Sequence, residues 1–202
     1  MKIREITQDI EAFAPLSLQE DYDNAGIQVG NLDDEVTGVL LCTDVREEII
    51  DEAIERGANL IISHHPLIFH GLKKIAGNSY IERIVARAIK NDITIYAAHT
   101  NMDSAQGGVN FKIAQKLWLN NVQVLDPQPQ NPDYEGTSGL GVIGDIPSTP
   151  ALEFLQHVKE VFEVSTLRYC GDTSRSVSRI ALCGGAGAFL VKLHVVAKFS
   201  TR

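Results

Sequence analysis

Four side chains able to bind a metal follow two apolar runs: His64 and His65 come after ANLIIS at 58–63, and His99 and Asp103 after ITIYAA at 93–98. Imidazole nitrogens with a carboxylate oxygen suit Zn, Mn, Fe, Co or Ni better than Ca or Mg. With no thiolate in the set, the chemistry is that of an open site able to activate water rather than of a closed structural zinc site. On this reading all four are potential ligands of one shared site. His99 and Asp44 are the candidates for handling a proton. The structural alternatives are plain ones: paired histidines can simply end a strand, and Asp44 or Asp103 can cap a helix or turn.

These residues can meet only if the chain places them on one edge of a sheet. Successive strand side chains point to opposite faces, so His64 and His65 share a site only if the strand stops near Ser63, and Pro66 favours that stop. Gly38–Cys42 (GVLLC) has the continuous apolar character of a buried parallel strand. It leads into Thr43-Asp44-Val45-Arg46-Glu47, a capping-box pattern with Asp44 at the N-cap, and a helix to about Arg56 closed by Gly57. Leu60–Ile62 is the next strand. A helix is expected at Tyr80–Lys90, with Ile81, Ile84, Val85 and Ala88 at helical spacing, before a strand at Thr94–Ala98. Two successive βα steps imply a mostly parallel sheet, and ligands of such sheets bind at the strands' carboxyl ends.

Other segments complete the outline. Ile3, Ile6, Ile10 and Phe13 define an amphipathic helix that ends before Pro15. DYDNAGIQVG at 21–30 reads either as a tight turn or as a polar loop that brings Asp23 or Asn24 to the metal or its ligand. His70 reads as a surface loop residue. A helix is expected at Val109–Leu117, an exposed loop at 126–138, strands at Leu140–Ile146, Ser165–Cys170 and Val177–Cys183, and a helix opened by Pro150. The loop divides an N-terminal lobe, 1–125, from a second lobe, 126–202. Gly184-Gly185-Ala186-Gly187 is a flexible turn after the last strand and matches no nucleotide-binding fingerprint.

Composition narrows the function classes. The 202 residues carry 18 Lys plus Arg against 26 Asp plus Glu, a net charge of −8, which argues against general attraction to nucleic acid or anionic membrane. Cys42, Cys170 and Cys183 are odd in number and set in apolar runs, as reduced core cysteines of a cytoplasmic protein would be. The N-terminus has no apolar signal region, and no run approaches membrane-spanning length.

Taken together, DYDNAGIQVG at 21–30, GANLIISHHPLIF at 57–69, AAHTNMDSAQGGVN at 97–110, GLGVIGDI at 139–146 and ALCGGAGAFL at 181–190 resemble the Nif-three-like family, whose bacterial members are labelled GTP cyclohydrolase 1 type 2 homologues. The resemblance covers about residues 1–190. It implies a two-lobed α/β fold with mostly parallel or mixed sheets flanked by helices. It also implies a homohexamer and a dinuclear metal centre, with two divalent ions per subunit. His64, His65 and Asp103 fall on the family's N-terminal ligands, and His99 falls beside them as ligand or neighbour. The family completes the pair with a later His and a bridging Glu. From 191 this chain reads VKLHVVAKFSTR, without a His-x-x-x-Glu pattern, and His194 stands in another context. The expectation is one tightly held metal, or two held weakly. Two functions compete: a metal-dependent hydrolase of a nucleotide-like or phosphorylated small molecule, and a non-catalytic metal-binding hexameric scaffold or regulator.

Overall fold

The computed structural model describes residues 1–192 and divides into two compact units, Met1–Met102 and a second from Asp103 onward. The first unit is built on β1 (Gly26–Val29), β2 (Val39–Cys42), β3 (Leu60–Ser63) and β4 (Thr94–Ala97), in the order β1-β4-β3-β2. β2, β3 and β4 run parallel, and β1 adds antiparallel to β4, so the sheet is mixed.

Side-chain alternation along the strands assigns the two faces. Ile61 and Ile95 pack with Ile50 and Ala53 of α2 (Glu47–Arg56) and with Ile84, Val85 and Ala88 of α3 (Tyr80–Lys90). Leu60 and Tyr96 turn the other way, onto Ile3, Ile6 and Ile10 of α1 (Ile3–Phe13). The apolar spacing of each helix therefore matches a sheet face, and burial of these side chains drives the layering. α2 stops at Gly57, which takes the left-handed conformation (φ 64°) and returns its amide to Ile54 and Ala53 carbonyls. α3 starts with an N-cap: the Ser79 hydroxyl accepts from the Glu82 amide, and the Glu82 carboxylate accepts from the amides of Ala76 and Asn78 in the preceding turn.

The second unit holds an antiparallel sheet of β5 (Asn120–Pro127), β6 (Gly139–Pro150) and β7 (Ser176–Leu182), in the order β5-β6-β7. Val142, Ile180 and Leu182 pack with Ala114 and Leu117, at α5 (Val109–Lys116) and its C-cap, and with Phe154 and Val158 of α6 (Ala151–Val161). A short α4 (Thr100–Ser104) spans the division between the units. The polar stretch 126–138 lies inside the second unit: Asp126 and Pro127 end β5, and 128–138 joins it to β6.

Several expectations are corrected here. β2 is parallel but sits at the sheet edge, with Val39 42% and Leu41 72% exposed, because α1 covers β3 and β4 without reaching it. The stretch 165–170 is not a strand: no ladder partner pairs with it, and Cys170 is exposed rather than in the core. The residue at the α2 N-cap is Arg46, without a side-chain cap, since the Asp44 carboxylate is engaged elsewhere. The turn after β7 enters a 3-10 segment, Gly187–Lys192, and the Gly184 amide donates to Asn110 Oδ1 at 2.8 Å rather than to an anion.

Candidate metal centre

β3 and β4 end side by side, with Ser63 level with Ala97, so the residues that follow both strands emerge at one edge. Beyond Ser63 the chain keeps two backbone ties to β2's end: the His64 amide donates to Cys42 at 3.1 Å and the His65 amide to Thr43 at 2.9 Å. The Ser63 hydroxyl donates to the His65 carbonyl at 2.9 Å. The strand thus stops where Pro66 requires, and adjacent histidines turn toward one place. After β4, the Asn101 carboxamide oxygen accepts from the His99 amide at 2.9 Å, while its nitrogen donates to the Ala14 carbonyl at 2.8 Å. Asn101 is fully buried, and these two bonds fix the turn that carries His99.

The rings of His64, His65 and His99 stand together, with centroids 5.0, 5.2 and 5.5 Å apart. One ring nitrogen from each lies within 4.8 Å of the others, a spacing able to hold a metal ion. Each Nδ1 faces an acceptor: His64 the Ala98 carbonyl at 2.9 Å, His65 the Asp44 carboxylate at 2.7 Å, and His99 the Asp23 carboxylate at 2.7 Å. A carbonyl or carboxylate can only accept, so Nδ1 carries the proton and Nε2 of the neutral ring carries the lone pair. That tautomer leaves Nε2 able to bind a metal, and such outer partners are the usual companions of metal-binding histidines.

The two carboxylates differ in setting. Asp44 is 60% exposed, whereas the Asp23 side chain is fully buried. Burial works to raise the Asp23 pKa. Hydrogen bonds from the Thr100 hydroxyl, His99 and the amides of Asn24 and Thr100 outweigh it and hold the carboxyl below its ordinary range. Beside His65 an open cavity of about 440 Å³ is walled by Asp44, Arg46, Glu47, Leu67 and Tyr80, room for a small ligand.

The structure therefore brings together His64, His65 and His99, with Asp44 in contact and Asp23 as a partner that sequence spacing left open. Asp103 opens the second unit, where its carbonyl accepts from the Asn110 carboxamide at 3.0 Å. His70 is exposed, as expected of a loop residue. His194 and the question of a C-terminal ligand pair lie outside the described residues.

Fold and cluster define an α/β protein with a three-histidine candidate metal site at the carboxyl ends of parallel strands. The chain belongs to the Duf34/NIF3 (NGG1p interacting factor 3) family, whose model matches residues 1–199. Among its relatives is a Clostridium perfringens protein named GTP cyclohydrolase 1 type 2 homolog, 37% identical over 188 residues, which are 93% of this chain and 70% of that one. A Streptococcus pneumoniae protein of the same name is 35% identical over 196 residues, 95% of this chain and 72% of that one. Solved structures are similar as well. A Bacillus cereus protein related to NIF3 gives a TM-score of 0.86 at 28% identity, covering 96% of this chain and 80% of that one. The Staphylococcus aureus protein SA1388 gives 0.88 at 29% identity, covering 100% and 80%. The α/β fold implied by the sequence resemblance is the fold observed.

Proposed function

We propose that this chain binds a divalent transition-metal ion through Nε2 of His64, His65 and His99 and acts as a metal-dependent hydrolase of a nucleotide-like or phosphorylated small molecule. The observation that supports this reading is the set of Nδ1 hydrogen bonds, which gives all three rings the metal-binding tautomer before any ion arrives. Three neutral imidazoles suit Zn, Mn, Fe, Co or Ni. Asp103 is proposed as a carboxylate ligand on the family resemblance alone, and the same resemblance is the basis for a homohexamer and for a second, more weakly held ion. An ion held there would supply Lewis acidity and would lower the pKa of a coordinated water. The chain's own residues then divide the work: His64, His65 and His99 hold the ion, the cavity beside His65 receives the substrate, and Asp44 on its wall accepts a proton.

A second reading is a non-catalytic metal-binding hexameric scaffold. The exposed Val39 and Leu41 on edge strand β2 favour it, since apolar edge strands are places where chains meet. Among the described residues no helix is long and apolar enough to cross a membrane. A cytoplasmic setting is part of the proposal.

Metal content per protomer by elemental mass spectrometry, on this chain and on His65→Ala, tests the site. A ratio near one that collapses in the variant supports it; an unchanged ratio refutes it. Phosphoester hydrolysis by the loaded protein, abolished by chelator and by His64→Ala, supports the enzyme. Metal-dependent assembly without turnover supports the scaffold.

A further inference from the structure

The stretch DYDNAGIQVG contributes no residue to the three-histidine cluster, yet its polar side chains reach both turns that carry the histidines. Toward β4, Asp23 Oδ1 accepts from His99 Nδ1 and from the Asn24 amide, both at 2.7 Å. Its Oδ2 accepts from the Thr100 amide at 3.0 Å and from the Thr100 hydroxyl. Toward β3, the Asn24 carboxamide donates to the Ile68 carbonyl at 2.6 Å, and Gln28 Oε1 accepts from the Ile68 amide at 3.1 Å. Gln28 Nε2 closes the loop by donating to the Asn24 carbonyl at 2.7 Å.

We infer that Asp23 is the positioning residue that orients His99 for metal, held in place by an Asn24–Gln28 clamp on the turn after His65. This rests on the metal-binding reading above. Two features separate Asp23 from the other Nδ1 partners. It is a full anion, where His64 has a neutral carbonyl, so it raises the electron density at Nε2 more. It is also fully buried and takes four donors, where Asp44 is largely exposed and takes one from His65, so solvent screens it less and the ring has one available orientation. A buried carboxylate is costly unless its lone pairs are filled, and here donors from a loop, a turn and a ring fill them. An asparagine at this position would place its NH2 against one of those donor pairs. Either the Thr100 group or His99 would have to turn away.

The test is Co(II) affinity, by competition with a chromophoric chelator, together with the visible ligand-field spectrum, for the full chain and for Asp23→Asn, His99→Ala and the double variant. Asp23→Asn is expected to weaken Co(II) binding about 10- to 100-fold and to shift the ligand-field bands. In the His99→Ala background the same change is expected to cost nothing further, because its effect runs through that ring. A role in folding alone would cost the same with or without His99. That result, or wild-type affinity in Asp23→Asn, overturns the inference while leaving the metal site standing. A parent protein that takes up no Co(II) overturns the metal reading and this inference with it. If Asp23→Asn fails to fold, Thr100→Val removes the hydroxyl that donates to Asp23 and accepts from the Glu20 amide, and leaves the charge and the ring. It is expected to weaken Co(II) several-fold with the same dependence on His99, and no change there overturns the inference.

Discussion

Replacing His64 by alanine separates two contributions that meet in one side chain. Without metal, the variant loses the Nδ1 hydrogen bond to Ala98, which joins the ends of β3 and β4. A hydrogen bond of this kind contributes about 0.5–1.5 kcal/mol net. At about 2–4 °C per kcal/mol for a chain of this size, the metal-free melting temperature falls by about 1–6 °C. With metal, mass action adds a second difference. At free ion a hundredfold above Kd, wild type gains about 2.7 kcal/mol. Losing one of three imidazole ligands costs at least as much affinity as losing an outer partner, about 100-fold. At the same free ion the variant then sits near its own Kd and gains about 0.4 kcal/mol. The gap of about 2.3 kcal/mol corresponds to about 5–9 °C of lost metal-induced shift. The assay is a pair of thermal melts for each protein, one in chelator and one in zinc buffered to fixed free concentration. If His64→Ala melts lower without metal but keeps the full zinc-induced rise, the ring is a structural strut and the ligand assignment is wrong.

Three further outcomes follow from local geometry. Gly30 has φ 102°, and a Cβ there would lie 2.3 Å from Thr94 Oγ1 and 2.6 Å from Thr94 Cα, whereas a Cβ at Gly57 meets nothing within 4 Å. Gly30→Ala is expected to cost about 2–5 kcal/mol from left-handed strain plus overpacking, and Gly57→Ala about 1 kcal/mol, by urea unfolding; equal losses would refute the crowding argument. Amide donors at Ala76 and Asn78, with the Ser79 hydroxyl, hold the Glu82 carboxyl below its ordinary 4.5. Its stabilisation is complete above the unfolded value and is lost as pH falls through the folded one, so Glu82→Gln should flatten the acid limb of stability below about pH 4.5. An unchanged acid limb would count against these hydrogen bonds to Glu82. Finally, burial and the nearby charges of Asp44 and Asp103 push the Cys42 and Cys183 thiols up to about 11. Alkylation of the native protein at pH 8 should label exposed Cys170 first, as peptide mass mapping would show.

The legible parts of the fold are those whose signal lies within one element. Tyr80–Lys90 announces itself by apolar spacing, and both ends match the structure. The stop at Ser63 follows from Pro66, and it predicts that adjacent histidines can share a site. What the sequence hides is pairing over distance. Asp23 and His99 are 76 residues apart, and nothing local distinguishes a turn aspartate from one that holds a ring. Asp44 satisfies a capping pattern, yet its carboxylate bonds His65, 21 residues on, and Arg46 takes the cap position. GVLLC is as apolar as a central strand, because its outer face depends on how far α1 reaches, which periodicity does not encode. Cys170 looks like a strand residue until it lacks a neighbouring strand.

The placement of β1 next to β4 sets an order of assembly. β2, β3 and β4 are joined in sequence through α2 and α3, so each pairing closes a modest loop. β1, although made first, can pair only with the last of these strands, with Gly26 opposite Ala97, and loop closure over that span is entropically later. The three histidines therefore come together on a sheet that still lacks Asp23, and the ring of His99 stays unlocked until β1 docks. Pulse-labelled hydrogen exchange should show the β3–β4 amides protected before those of β1. Metal added during refolding is expected to meet a looser three-histidine cluster than the finished protein presents.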